Sequence, residues 1–169
     1  MIVSYRNAVP ADAAALDALF DESFTETFGH LYAPEDLALF LSRFSLEDWA
    51  RELADPDIAF RVGEVGGVLA GYAKLGPVTL PVTPAGAAAE LSQLYLRKAW
   101  HGAGIAQTLM DWVLETARGR GAEELYLSVF TENHRARRFY ARYGFEEVGP
   151  YIFMVGNHAD QDIILRARL

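Results

Sequence analysis

The sequence contains no cysteine. This absence excludes a disulfide framework, a metal site with Cys ligands and a cysteine nucleophile. Long apolar runs of about 18 residues are also absent, and the chain does not open on a basic segment followed by an apolar stretch. We therefore expect neither a membrane span nor an export signal, and we predict a cytoplasmic protein.

An excess of positive charge is the second absence. The chain has 15 basic and 23 acidic residues, a net charge of -8, which argues against nucleic acid or an anionic membrane as the main partner. Residues 1–60 carry 12 acidic and 3 basic residues, whereas residues 91–169 carry 9 acidic and 10 basic residues. Two explanations stay open: acidic surface helices without a role, or one cationic and one anionic partner.

The 169 residues, 51% of them hydrophobic, are enough for one globular domain that buries about 70% of the unfolded surface. After a short strand over residues 2–8, apolar residues at a period of 3.6 predict helices that begin near Pro10 and Pro34. A third helix is predicted from Ser45, whose spacing to Asp48 is that of a capping box.

The pattern changes to alternation after residue 57. Two apolar runs flank Gly66-Gly67 and predict a β-hairpin, because both turn residues can take a positive φ. Residues 76–89 are predicted to form a long loop, either functional or a mobile insertion. The remaining predicted elements are strands over 90–96 and 125–130, helices over 102–118 and 133–143, and closing strands over 145–148 and 161–169. This order predicts an α/β domain with a mixed sheet.

The turn after strand 90–96 reads His101-Gly102-Ala103-Gly104-Ile105-Ala106. Small residues let a ligand approach the backbone, and the free N–H groups of a first helical turn favour an anion such as pyrophosphate. Glycines in such a turn can equally serve tight geometry alone. The segment is neither a dinucleotide-binding G-x-G-x-x-G nor a Walker loop.

A second motif begins at Asn133 and continues through Ala136, Phe139 and Tyr140 to Tyr143-Gly144-Phe145. Asn133 occupies an N-cap position, and its amide could instead contact a ligand. Tyr140 shares an apolar helix face, so a core tyrosine and a functional tyrosine are both open.

The two motifs at this separation resemble the GNAT superfamily of N-acetyltransferases. The likeness is specific from residue 90 to 148, and the order of elements extends it over the whole chain. It implies a GNAT-like α/β fold with a mixed, mostly antiparallel sheet of about six to seven strands, flanked by helices and splayed at the cofactor site. A single domain 1–169 would comprise an acceptor side (1–57), a hairpin (58–75), an acetyl-CoA-binding core (90–148) and closing strands (149–169).

The resemblance implies acetyl-CoA as cosubstrate and no metal. The backbone of the strand would pair with the pantetheine arm, the glycine turn would hold the pyrophosphate, and Asn133 would contact the pantetheine. His101 departs from the Arg or Gln that the family usually has. Arginines 135, 137, 138 and 142 either meet the ribose 3′-phosphate or form a solvated basic face. The implied cofactor-binding residues are Leu94, Tyr95, Leu96, His101, Gly102, Ala103, Gly104, Ile105, Ala106, Asn133, Arg137 and Arg138.

Two residues are candidates for catalysis. Tyr140 is implied by the resemblance to protonate the departing thiolate, and a phenol of pKa about 10 suits a thiol of about 8.5. Glu90, at the start of the strand, is the candidate base, acting through water; an exposed strand-end acid is the alternative. Direct attack by the amine is expected, because the chain has no cysteine and no convincing Ser/His/Asp set.

The acidic N-terminal helices, the strand segment from Glu90 and the C-terminal segment 153–165 resemble one branch of the family, the PaiA-type spermidine/spermine N-acetyltransferases. This implies a small cationic amine as acceptor. The candidate substrate-binding residues are Phe28, His30 and Tyr32; His30, just before Leu31-Tyr32, could line the acceptor pocket, and a solvated or locally hydrogen-bonded histidine is the alternative. Acetyltransferases for protein N-termini or antibiotics stay open, as does a non-catalytic acetyl-CoA sensor. The oligomeric state is open too, with a homodimer among the options.

Overall fold

The computed structural model describes residues 1–169 as one seven-stranded sheet with five α-helices. The strands are β1 (Val3–Asn7), β2 (Ala59–Val65), β3 (Val68–Gly76), β4 (Ala88–Leu96), β5 (Glu124–Phe130), β6 (Glu146–Val155) and β7 (His158–Arg168). The helices are α1 (Ala13–Phe28), α2 (Pro34–Leu41), α3 (Leu46–Ala54), α4 (Ile105–Gly119) and α5 (His134–Arg142).

The strands follow the order β1-β2-β3-β4-β5-β7-β6, and all neighbouring pairs are antiparallel except β4 and β5. This confirms the predicted α/β fold with a mixed, mostly antiparallel sheet. The parallel pair is short, since only Ala88–Glu90 of β4 pair with Glu124–Tyr126 of β5. Beyond that point the two strands separate, and a gap opens in the middle of the sheet.

The two faces of the sheet are covered by different side chains. On one face α4 contributes an aliphatic stripe at helical spacing, with Ile105, Leu109 and Val113 fully buried. On the other face α1, α2 and α3 contribute an aromatic cluster centred on Phe20, whose ring lies 4.7 Å from that of Phe44 and 5.1 Å from that of Tyr95. The face of the sheet that carries the aromatic cluster borders the gap between β4 and β5.

Local signals in the first half of the chain are confirmed. Gly66 and Gly67 have φ angles of 58° and 80°, as the two-residue hairpin between β2 and β3 requires. The Ser45 hydroxyl caps α3 by accepting a hydrogen bond from the Asp48 amide at 3.1 Å, and the Asp48 carboxylate accepts one from the Ser45 amide.

The predicted closing strands were wrong in length. β6 and β7 form a long hairpin that turns at Gly156-Asn157, whereas the sequence indicated only segments 145–148 and 161–169. Pro150 lies inside β6, a position that a strand tolerates only at a sheet edge, and β6 is an edge strand. A register shift between Glu147 and Gly149 also interrupts the alternation of side chains between the two faces of β6. The sequence pattern therefore did not indicate the full length of this strand.

Candidate active site

A cavity of about 540 Å³ occupies the gap between β4 and β5. Its walls come from both halves of the chain, with α1 and α2 on one side and the starts of α4 and α5 on the other. Aromatic rings of the N-terminal helices, among them Phe24 and Phe28, line the first side. The opening between two strands therefore forms a cleft rather than a filled core.

The free edge of β4 presents backbone groups to this cavity. The Arg97 amide donates to the Ala70 carbonyl of β3 at 2.8 Å, so this is a hydrogen-bonded pair of the antiparallel ladder. Alternation along the strand then turns the backbone of Tyr95 toward β3 and the backbone of Leu94 and Leu96 toward the gap. An extended ligand could add there as a strand would.

The start of α4 presents further donors. The first hydrogen bond of the helix runs from the Thr108 amide to the Gly104 carbonyl at 3.2 Å, so the amides of Ile105, Ala106 and Gln107 remain free. Gly104 and Gly102 have φ angles of 81° and 80°, a region that other residues rarely adopt. A helix start of this kind binds phosphate groups well.

His101 connects the strand edge to α5. The guanidinium of Arg135 contacts its Nδ1 at 2.8 Å, and its Nε2 lies 3.2 Å from the Leu96 carbonyl. Because Arg135 can only donate, Nδ1 accepts and Nε2 carries the hydrogen that goes to Leu96; this tautomer follows from the hydrogen-bond network. His101 thus donates a hydrogen bond to the Leu96 carbonyl and contacts Arg135 at the cavity.

Asn133 both caps α5 and lines the cavity. The Asn133 Oδ1 accepts a hydrogen bond from the backbone amide of Ala136 at 3.2 Å, so the side-chain Nδ2 of Asn133 is left to donate to a ligand. Tyr140 lies one turn from the end of the same helix and also lines the cavity. Burial raises the pKa of Tyr140, so its hydroxyl stays protonated at neutral pH.

The opposite end of the cavity is acidic. Asp160 and Asp162 lie two residues apart on β7, so both side chains point to the same face, and both are buried. The Tyr32 hydroxyl donates to Asp160, and the His158 Nε2 lies 3.3 Å from the other oxygen of this carboxylate. Burial and the Asp160 hydrogen bond raise the pKa of Tyr32.

Comparison with known proteins identifies the family. Residues 14–145 match the sequence profile of the Acetyltransferase (GNAT) family. The chain belongs to this family. An uncharacterized N-acetyltransferase of Mycobacterium tuberculosis is 36% identical over 155 residues, 91% of this chain and 96% of the relative. This acetyltransferase therefore uses acetyl-CoA as its cosubstrate and acts as an N-acetyltransferase.

Solved structures share the fold. The PaiA N-acetyltransferase of Thermoplasma acidophilum, solved with coenzyme A, superposes with a TM-score of 0.82 at 22% identity, and each chain is covered completely. A ribosomal-protein-alanine N-acetyltransferase of Brucella melitensis superposes with a TM-score of 0.75 at 25% identity over 98% of this chain and 99% of that one. The free strand edge and the free amides described above fit the pantetheine and pyrophosphate of coenzyme A.

Most of the predicted cofactor residues of the acetyltransferase are brought together. Three are not, since Ala103, Arg137 and Arg138 do not line the cavity. Arg137 is instead directed to β6, where it bonds to Glu147 at 2.6 Å, and Arg138 is exposed. The arginines of α5 that reach the cavity are Arg135 and Arg142. The predicted residues that line the cavity are Leu94, Tyr95, Leu96, His101, Gly102, Gly104, Ile105, Ala106 and Asn133.

Glu90, the predicted base, does not line the cavity. Its carboxylate is buried against the loop that precedes β4, where it accepts hydrogen bonds from the Thr79 amide at 2.9 Å and the Leu80 amide at 3.0 Å. Glu124 holds the same loop through the Ala85 amide at 2.7 Å. This position gives no support to Glu90 as a base, and the loop over residues 76–89 is anchored to the sheet at two points.

The three predicted substrate-binding residues differ in position. Phe28 and Tyr32 line the cavity, whereas His30 does not. His30 lies exposed in the short 3-10 helix Gly29–Leu31 that separates α1 from Tyr32. The chain turns between these residues, so neighbours in sequence point to different sides.

Asp160 and Asp162 were missed as site residues. The available signal was the spacing D-x-D within an apolar strand, which places two acids on one buried face. Gln93 was missed as well; it lines the cavity and accepts a hydrogen bond from the buried Tyr72 hydroxyl at 3.0 Å. No group of His, Asp or Glu side chains is arranged to hold a metal ion, and no helix has the length and apolar character needed to cross a membrane.

Proposed function

We propose that this acetyltransferase transfers the acetyl group of acetyl-CoA to a primary amine of a small cationic acceptor, with polyamines as the leading class. The observation that carries the proposal is the division of charge inside one cavity. Arg135, Arg142 and His101 line the end near α4 and α5, whereas Asp160 and Asp162 line the end at β7. An anionic cosubstrate and a cationic acceptor suit these two ends.

Aromatic rings support a cationic acceptor. Phe24, Phe28 and Phe130 line the cavity, and the ring of Phe28 lies 6.2 Å from that of Phe130 in an edge-on arrangement. A cation over an aromatic face gains about 0.5–2 kcal/mol, more where water is excluded. The methylene segments of a polyamine would pack on the same rings, while its charges meet the carboxylates.

Acetyl-CoA supplies an acetyl thioester, a carbonyl carbon open to attack by an amine. The residues of the chain position the reactants and move protons. The backbone edge at Leu94 and Leu96 orients the ligand along β4, and the free amides at the start of α4 hold phosphate. Tyr140, whose phenol is protonated at neutral pH, donates a proton to the sulfur.

The amine must be neutral before it attacks. An ammonium of pKa about 10.4 costs about 4.6 kcal/mol to deprotonate at pH 7. A group at the acceptor end therefore has to receive a proton. The attack is direct in this proposal, because the chain offers no cysteine to carry the acetyl group.

A protein N-terminus is the second candidate acceptor. The similarity to the ribosomal-protein-alanine N-acetyltransferase of Brucella melitensis favours it, and a basic protein segment would also suit the acidic first third of the chain. A cytoplasmic location and a homodimer remain predictions made from the sequence.

Thiol release from acetyl-CoA distinguishes the two acceptors. The panel contains polyamines, amino acids, aminoglycosides and peptides with free N-termini, each at equal concentration. The proposal expects the highest kcat/KM with a polyamine. A preference for peptides would replace it with the second candidate, and turnover confined to neutral amines would contradict both.

A further inference from the structure

Four acidic side chains of the chain are buried, and three of them have donors. Glu90 and Glu124 accept hydrogen bonds from amides of the 76–89 loop, and Asp160 accepts one from Tyr32. Asp162 differs from these three. It is 7% exposed, and its Oδ1 is buried without any hydrogen-bond partner.

A buried carboxylate oxygen without a donor is costly, and native proteins rarely leave one. Asp162 lines the cavity, directly across the sheet from Phe130 of β5 and Tyr151 of β6. Oδ1 is covered by protein atoms, whereas Oδ2 is neither covered nor hydrogen-bonded, so a donor for the carboxylate can arrive at Oδ2 as a ligand in the cavity. The donor that fits an isolated carboxylate best is a cation with N–H groups.

We propose that Asp162 binds the ammonium group of the acceptor and takes up its proton before the attack. Asp160 is a positioning residue beside it, because Tyr32 and His158 hold its carboxylate in place. This inference rests on the proposed function, which requires a primary amine as acceptor. It assigns the base to β7 rather than to Glu90 at the start of β4.

The surroundings of Asp162 suit proton transfer. Burial and the Asp160 carboxylate raise the pKa of Asp162 to about 7, and no cation offsets them. The titratable groups that line this end of the cavity with Asp162 are Asp160 on β7, Tyr32 before α2 and Tyr95 on β4. Outside the lining, His158 contacts Asp160, and Tyr151 on β6 is the cross-strand neighbour of Asp162.

The pKa of an ammonium, about 10.4, exceeds that of such a carboxyl by about three and a half units, whereas it exceeds the pKa of an ordinary aspartate by about six and a half. Proton transfer from the ammonium to Asp162 therefore costs less free energy. In a buried site the neutral pair formed by proton transfer is also penalised less than the ion pair.

The proton balance closes with groups of the chain, the two substrates and solvent. One proton moves from the acceptor nitrogen to a carboxylate oxygen of Asp162, which leaves a lone pair on nitrogen. That pair forms the bond to the acetyl carbonyl carbon while the carbon–sulfur bond breaks and its electrons remain on sulfur. Sulfur takes the proton of the Tyr140 hydroxyl, and the second proton of the nitrogen restores Tyr140 through solvent. Asp162 returns its proton to solvent, the one proton released per turnover.

Titration of the Asp162 carboxyl by carbon-13 NMR tests the binding step without turnover. The signal is assigned by its loss in Asp162→Asn, and it is followed from pH 4 to 9 with and without spermidine, in the presence of coenzyme A. We expect an inflection near neutral pH that spermidine lowers by one unit or more. An inflection at the ordinary value, or one that spermidine leaves in place, would overturn the proposal.

Kinetics test the proton transfer. Asp162→Asn should lower kcat with spermidine about 100-fold or more and remove the acidic limb of the profile of kcat/KM against pH, with an unchanged Kd for coenzyme A. Asp162→Glu should restore part of the rate. Asp111→Asn on the exposed side of α4 is the matched control, since it removes one charge outside the cavity and should change neither kinetic constant.

The two proposals fail in different ways. Turnover of spermidine with a normal rate in folded Asp162→Asn would overturn the role of Asp162 and leave the cationic acceptor intact. An absence of turnover with every cationic amine in the wild type would contradict the proposed function. An NMR shift by spermidine in that case would still support Asp162 as the ammonium site, and an absence of the shift would overturn it.

Discussion

The cavity is built differently at its two ends. The end near α4 uses backbone, namely the strand edge at Leu94 and Leu96 and the free amides that follow Gly104, with His101 and Arg135 as side-chain additions. The end at β7 uses buried side chains instead, two carboxylates among aromatic rings. A site made of backbone groups tolerates many side-chain substitutions, whereas a site made of side chains changes with each substitution.

Tyr140→Phe should have the largest effect, because it removes the proton donor that stands between the two ends. We expect kcat to fall about 100- to 1000-fold with little change in the Kd for coenzyme A. The hydroxyl is lost while the half-buried ring keeps its contacts with Phe139 and Phe145. Rapid-mix thiol release and calorimetry measure the two quantities, and an unchanged kcat would remove Tyr140 from the chemistry.

Glu90→Gln tests whether the predicted base belongs to the acceptor end. The structure predicts a loss of about 2 kcal/mol in the free energy of unfolding, because the loop amides of Thr79 and Leu80 lose a charged acceptor. The pH dependence of kcat/KM should keep its shape. Urea denaturation and a pH series measure both, and the disappearance of the acidic limb with normal stability would return the base to Glu90.

Arg135→Gln should weaken the cofactor end alone. Arg135 lines the cavity and would supply one charge-assisted contact to the cosubstrate. We therefore expect the KM for acetyl-CoA to rise about fivefold to tenfold and the KM for the amine to stay constant. Arg138→Gln removes the same charge from the same helix at an exposed position outside the cavity. Equal effects of the two variants would show that only the net charge of α5 matters.

Asp162→Asn should stabilise the free protein at high pH. The pKa of Asp162 is about 7 in the fold against an ordinary value of 3.8, so the folded state holds this proton more tightly than the unfolded state. The charged form therefore destabilises the fold increasingly as pH rises through this interval. We expect the Tm of the variant to exceed that of the wild type by about 4 °C at pH 8, and by less at pH 5. A lower Tm at pH 8 would contradict the raised pKa.

The sequence predicts the cofactor end well. Glycines at 102 and 104, the capping Asn133 and the helical spacing up to Tyr140 are local signals, and the structure places all four at the cavity. The parallel pairing of β4 and β5 that opens the gap is not local, because it joins Glu90 to Tyr126, which is 36 positions further along the chain.

The acceptor end could be predicted only in part: Phe28 and Tyr32 line the cavity as predicted, whereas the D-x-D spacing places Asp160 and Asp162 on one face without showing what that face meets. The rest depends on contacts between distant segments, such as Tyr32 with Asp160. Glu90 illustrates the same point: a strand-end acid has the same sequence pattern whether it faces the cavity or a loop. Asp162 reaches the cavity because of the register in which β7 pairs with its neighbours. The hairpin of β6 and β7 was not predicted at its full length, because Pro150 interrupts the strand pattern of β6.

The acceptor end requires a positive charge on its ligand, and a series of primary amines of equal length measures this requirement. The amines carry no further charge, one further positive charge or one negative charge at the far end, and kcat/KM is measured for each at low and high salt. We expect the largest kcat/KM for the dication, a loss of that advantage in Asp160→Asn, and a smaller advantage at high salt. Equal values across the series, or a preference for the anionic amine, would contradict it.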